Sequence, residues 1–346
     1  NPVCDHHRCR TPAAGKIACA TAAGRAEGLQ APWGRQSCCF VETFGRFVRL
    51  TVMVKRSKGE AKPTVIEQVA EMAMVLGGRH LADYGATRSR HDFTQRQLMG
   101  CLILRAYLKT TYRGVLELLA VSPQLRRRLG LEEKLPHFTT LQKFSARSSV
   151  VEIAKKMVAS IGAAAARAQG GPQAAAMDST GLATTVAGEY FRSRTGKRCS
   201  QWVKVSAVVC CGSLLPLGLE LSLGPSNDRV QVAGLLDQAE AVSRPGRLYA
   251  DAGYDAEKIH RRCRDQWGVE SVIKPASRCA DGTRKGKWRA TMSPEYLKAR
   301  GYGRRWNVES YFSALKRTAG HALAARKSNT LLAEAAFMVL AYALRR

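Results

Sequence analysis

The chain is 346 residues long and strongly basic: 55 lysines and arginines face 27 aspartates and glutamates, a formal net charge of +28. That excess makes a polyanion the default partner and excludes an ordinary small-molecule metabolic enzyme as the first reading, while 45% apolar residues exclude wholesale disorder. The length suits two or three domains, and charge alone does not separate nucleic acid from an anionic membrane surface.

Residues 1–62 carry little periodicity and are read as an unstructured or atypical N-terminal extension, with a short strand at 52–54 and a charged linker after it. Cys4, His6, His7 and Cys9 lie close together but lack a second ligand pair, so a zinc site is not expected. The eleven cysteines form no C-x2-C pair and suit a reducing cytosol. The helical period takes over at Thr64. Val65, Val69, Met72 and Leu76 form one stripe that Gly77-Gly78 is expected to end. Asp92 is the expected cap of a second helix, and Val115, Leu118 and Leu119 mark a third. Ser122-Pro123 opens a fourth that Gly130 closes, and Thr139 or Thr140 caps a fifth carrying Gln142, Lys143 and Arg147. A sixth, 151–169, ends at Gly170-Gly171-Pro172. Residues 63–170 thus read as an all-α region, either a helix-turn-helix-like DNA module with Lys143 and Arg147 facing DNA or a plain helical scaffold.

Beyond Pro172 the pattern changes to short apolar or alternating runs at 174–177, 202–211, 214–223, 247–250 and 269–274. Helical stretches follow at 230–242, 256–267, 302–319 and 329–345. The expectation for 171–346 is an α/β domain with a mixed five-stranded sheet flanked by helices. The apolar run 331–344 is broken by Glu334 and falls short of the roughly 20 residues that span a bilayer, so a soluble, cytoplasmic protein without a membrane partner is expected.

Two aspartates leave apolar strands ahead of small turn residues: Asp178 before Ser179-Thr180-Gly181, and Asp251 before Ala252-Gly253-Tyr254. An α/β sheet commonly displays functional groups there, although an Asx turn would also place an acid so. Asp255 is the better candidate to cap the helix that follows, which leaves Asp251 without a capping duty. The third acid is Glu309. If 302–319 is one helix, Tyr302, Arg305, Glu309 and Lys316 share a stripe about 60° wide. By itself, Arg305–Glu309 reads as a surface ion pair. Three carboxylates drawn from separate elements would repel one another unless cations sit between them, and Mg2+ is the hard ion that suits oxygen donors.

The spacing Tyr302-x2-Arg305-x3-Glu309-x6-Lys316 resembles the Y-x2-R-x3-E-x6-K signature of bacterial insertion-sequence DDE transposases, in the group that contains insertion-sequence families four and five. Met177-Asp178-Ser179-Thr180-Gly181 resembles that group's first Asp motif, the run from Tyr249 to Asp255 its second, and Gly224-Pro225-Ser226-Asn227-Asp228 the turn after its third strand. The resemblance implies an RNase-H-like catalytic domain in which Asp178, Asp251 and Glu309 are catalytic and hold two Mg2+ ions, with Mn2+ able to substitute. It also implies that Tyr302, Arg305 and Lys316 contact DNA. The partners it implies are double-stranded DNA, as terminal inverted repeats and target, and a second copy in a synaptic homodimer associated with the nucleoid. Only 57 residues separate Asp251 from Glu309, too few for the β-rich insertion that some relatives carry there. Arg278, Arg284, Lys285, Lys287 and Arg289 fill the interval as candidate DNA contacts, or as a solvated charged loop.

The expected chemistry is hydrolysis at the element end, releasing a 3′-hydroxyl, followed by attack of that hydroxyl on a target phosphate. The alternatives are an RNase-H-like nuclease that cuts without joining, and an inactive or domesticated protein that only binds DNA.

Overall fold

The computed structural model describes residues 38–44, 47–53, 62–88, 90–170, 173–184, 202–224, 226–276 and 285–346. The Cys4, His6, His7 and Cys9 cluster, Arg278 and Arg284 lie outside the described residues. Within the first 62 residues, β1 (Cys38–Phe44) and β2 (Phe47–Met53) pair as an antiparallel hairpin, from Cys38 opposite Met53 to Phe44 opposite Phe47.

Helix α1 (Val65–His80) starts from a reciprocal capping box between Thr64 and Glu67. It runs through Gly77 and Gly78 rather than ending there. Gly77 is buried, and a Cβ on it would lie 2.8 Å from Arg96 Cβ, so this glycine serves the close approach of the next helix instead of a turn. That helix, α2 (Gln95–Tyr107), is capped by Thr94 with Gln97 completing the box. Asp92, the expected cap, pairs with Lys134 at 3.5 Å. Helix α3 (Tyr112–Val121) leads into α4 (Pro123–Leu129), where Ser122 caps, Pro123 takes the first turn and Gly130 closes in the left-handed region at φ 64°. Helix α5 (Phe138–Ser145) begins after His137 without a side-chain cap, earlier than the threonines suggested, and α6 (Ser149–Ala168) follows.

The sheet comprises β3 (Ala174–Thr184), β4 (Trp202–Cys210), β5 (Pro216–Leu223), β6 (Arg247–Ala250) and β7 (Glu270–Ile273), in the order β5-β4-β3-β6-β7. The hairpin-connected half is antiparallel and the β3-β6-β7 half is parallel. A sixth strand, β8 (Ala322–Leu323), pairs with the far end of β3. Two residues are too few to show a period in sequence, which is why a five-stranded sheet was expected. The helices of this half are α7 (Val232–Val242), α8 (Glu257–Arg261, continued by the π-helical Arg262–Trp267), α9 (Pro294–Ala299), α10 (Trp306–Ala319) and α11 (Ser328–Arg345).

Alternation divides the strands between two cores. Ala174 and Ala176 of β3, with Val203, Val205, Ala207 and Val209 of β4, face the larger core, which α1 to α6, α10 and α11 also line. Ala175, Met177 and Val208 face a smaller core closed by α7, α8 and the π-helical turn. The sheet is therefore buried on both faces, and its mixed topology with flanking helices is consistent with an RNase-H-like domain. The N-terminal helices and the sheet share the larger core without a break. Among the described residues, no helix is long and apolar enough to cross a membrane.

Candidate active site

The ladder between β3 and β6 runs from Ala174 opposite Arg247 to Met177 opposite Ala250. The next residue in each segment is an aspartate: Asp178, within β3, which runs on to Thr184, and Asp251, just past the end of β6, so two acids stand beyond the parallel ladder on neighbouring strands, which lie about 4.8 Å apart. Asp178 Oδ1 accepts from the Ser179 N–H at 2.8 Å. Contrary to the sequence expectation, Asp251 does have a capping duty: it caps the one-turn 3-10 helix Ala252–Tyr254 through Gly253 N at 2.9 Å, an Asx arrangement. Asp255 does not cap α8, whose N-cap, Ala256, makes no side-chain hydrogen bond. Its carboxylate is instead held by Arg289 in a two-pronged pair, both bonds 2.7 Å, and by Ala276 N. Burial would raise the Asp255 acid, but those bonds hold it below the ordinary carboxylate range.

Tyr302 to Arg305 form a 3-10 turn and α10 starts at Trp306, so the signature segment is not one continuous helix. The Tyr302 hydroxyl donates to the Ala250 carbonyl at 3.1 Å and ties this turn to the end of β6. Arg305 then reaches Glu309 at 2.5 Å and Asp178 at 3.6 Å. Its side chain is only 17% exposed, so this is not the surface pair that helical spacing alone suggested. Burial, with the negative charges of Asp251 and Glu309, outweighs the Ser179 N–H and Arg305 and pushes the Asp178 acid up to about 6. Tyr302 is pushed up to about 12 by burial, with Arg305 opposing and the same three carboxylates adding to the rise. Asp251 and Glu309 thus both act electrostatically on Asp178, from two other segments of the chain.

The donor set suits a hard divalent ion, being carboxylate oxygen throughout. Among the described residues no three His, Cys, Asp or Glu side chains are close enough to share one ion; the cation among these carboxylates is the guanidinium of Arg305, which shows that the cluster can hold positive charge.

The other expected contacts are scattered. Lys316 sits two turns beyond Glu309 on α10, about 10 Å along the axis. Lys285 and Lys287 are exposed, and the Lys287 ammonium lies 4.4 Å from the Trp288 ring centre. Arg289 is occupied by Asp255. Lys143 is exposed on α5, while Arg147 donates to Gln95 at 3.0 Å and stacks on Phe144. Several contributors escaped the sequence reading. Arg229 donates to the carbonyls of Gly253 and Asp255 and so clamps the Asp251 loop from the turn after β5. Trp306, 64% exposed, lies beside Arg305. The hydroxyls of Ser179, Ser206 and Tyr254 meet behind Asp178. Their signal was weak, because a serine inside an apolar strand acquires meaning only once the register is known.

A mixed sheet flanked by helices, with two aspartates on neighbouring strands beside an acid of α10, is consistent with the RNase-H-like class of domain. Residues 169–344 match the family model of the transposase DDE domain, and the chain belongs to that family. Membership makes DNA the substrate class and a divalent metal the expected cofactor. No curated protein and no solved structure matches the chain.

Proposed function

We propose that this protein binds the terminal inverted repeats of an insertion sequence and catalyses Mg2+-dependent DNA cleavage and strand transfer, working as a homodimer on the bacterial nucleoid. The observation that carries the reading is that the half-buried Arg305 pairs with both Asp178 and Glu309 while Asp251 acts on Asp178 from the neighbouring strand end, on a chain of the transposase DDE family.

In this reading Asp178, Asp251 and Glu309 are the residues that would hold two divalent ions. When bound, such ions activate an attacking oxygen and stabilise a departing one in phosphodiester chemistry. The chain's own cations do the rest. Arg305 exchanges its carboxylate partners for a backbone phosphate of the element end, and Lys316 meets a phosphate further along α10. Trp306 offers an exposed aromatic face on which an end base stacks. Arg284, Lys285 and Lys287 touch the duplex beyond the cleaved end. Residues 63–170 provide the second DNA-binding surface, with Lys143 and Arg147 towards the backbone.

Purified protein, labelled duplexes taken from the inverted repeats that border its coding region, and Mg2+ test the reading. Joined products are expected from the wild type. Asp178→Asn, Asp251→Asn and Glu309→Gln should each abolish joining while retaining the duplex in a mobility shift. Cleavage without joining would identify a nuclease, and retention without cutting a binding protein. Near-wild-type joining by any one of the variants would remove that acid from the triad.

A further inference from the structure

The β3–β6 ladder stops one residue short of both aspartates, at Met177 opposite Ala250. Sheet pairing therefore does not by itself set the distance between the two carboxylates. Behind them lies a chain of hydrogen bonds that does cross this gap. Successive strand residues point to opposite faces, so Asp178 faces the side of α10 while Ser179 faces the side of α7 and the Asp251 turn. There the Ser179 hydroxyl lies 2.8 Å from the Tyr254 hydroxyl and 2.7 Å from that of Ser206, its register partner on β4. Ser206 in turn donates to Gln231 Oε1, at the start of α7.

An amide oxygen can only accept, and this fixes the direction of the whole chain. Ser206 spends its proton on Gln231, Ser179 donates to Ser206, and Tyr254 donates to Ser179. Ser206 is fully buried and Tyr254 is 1% exposed, while Ser179 and Gln231 are half-buried, so the middle of the chain is shielded from water. Tyr254 is the last residue of the turn that Asp251 caps, and Ser179 is the residue whose N–H holds Asp178. The bond between them joins the two segments that carry the acids, on the face of β3 opposite the Asp178 carboxylate.

We infer that the Tyr254–Ser179–Ser206–Gln231 chain sets the separation of Asp178 and Asp251, so that Tyr254 and Ser179 are positioning residues for divalent-ion binding. The inference rests on the metal-holding role proposed above for the two aspartates. Partners that orient metal-ligating carboxylates typically cost about ten- to hundred-fold in metal affinity or activity when removed.

Tyr254→Phe and Ser179→Ala each delete one oxygen and no packing surface of consequence. Mn2+ titration of the full-length protein, followed by electron paramagnetic resonance, should show affinity weakened about tenfold or more in each. Strand-joining kcat should fall by a similar factor, with affinity for end duplex and the thermal midpoint of the metal-free protein close to wild type. Because both residues act through one bond, the double variant should lose no more than the worse single one. Unchanged Mn2+ affinity in either variant would overturn the inference. So would losses that multiply in the double variant, or a weakened affinity that follows a fall in thermal midpoint. A wild type that neither binds Mn2+ nor processes DNA would instead overturn the reading on which the inference stands, and the inference with it.

Discussion

At Asp178 the demands of folding and of the proposed chemistry oppose each other. Burial and two neighbouring negative charges hold its acid at about 6, above the ordinary carboxylate value near 3.9. Between those values the folded protein keeps a proton that the unfolded chain has released. The stabilising contribution of the protonated group is thus fully present below about pH 4 and is lost as pH rises through about 6, at a cost of about 3 kcal/mol. Asparagine cannot ionise and carries no such cost. In urea unfolding without divalent ions, Asp178→Asn should therefore gain on the wild type by about 3 kcal/mol between pH 4 and pH 8; a stability difference that does not change with pH would contradict this. The same substitution is expected to abolish joining, so the variant would be the more stable protein and the inert one. Arg305 eases the conflict by standing among the acids, and its i,i+4 spacing from Glu309 was legible in sequence. Its reach to Asp178 was not, because that depends on a 3-10 turn pinned by Tyr302 to the end of β6.

Among the elements, the strands were legible and their partners less so. The runs at 174–177 and 247–250 emerged as strands because a sheet buried on both faces imprints a short continuous apolar run. β3 outran its expected end at Met177, continuing to Thr184 through polar residues that carry the acid site. Hydrophobic pattern marks burial, and a strand that leaves the core keeps its ladder without keeping the pattern. Caps were misread for a related reason. Asp92 and Asp255 sit at plausible offsets, but the caps are taken by Thr94 and by a residue without a side-chain bond, while both acids serve ion pairs formed over longer distances. The Asp255–Arg289 pair also changes the meaning of the basic interval before Glu309. Arg289 Nε and Nη2 both bond to a carboxylate whose side chain is 1% exposed, and Glu257 accepts from the backbone N–H groups of Trp288 and Arg289. Removing one partner of a buried pair strands the other charge, at about 3–5 kcal/mol. Arg289→Met should accordingly lower the unfolding free energy by about 3 kcal/mol while leaving the salt dependence of end binding unchanged. A changed salt slope with full stability would return Arg289 to the DNA surface.

At the scale of the whole molecule, the charge of +28 is the property most easily read from sequence and the least specific. Its use is the long-range attraction of polyanions, which is independent of base sequence. The contribution of a single phosphate contact shows in the slope of log affinity against log salt, about 0.9 per contact on duplex DNA. Lys316→Ala should shallow that slope by about one such increment, measured across a salt series with end duplex; a slope identical to that of the wild type would place Lys316 off the DNA. The joining of the N-terminal helices to the sheet was the least legible feature, because it is made by α11. Leu331, Phe337, Leu340 and Leu344 of that helix complete the core that Val69 and Leu102 begin. Arg105 meets Glu334 across 229 positions of sequence. Contacts so remote in sequence carry a loop-closure cost that local pairs do not. A nonsense or frameshift mutation at any point before Ser328 thus leaves a product without its keystone, prey to proteolysis.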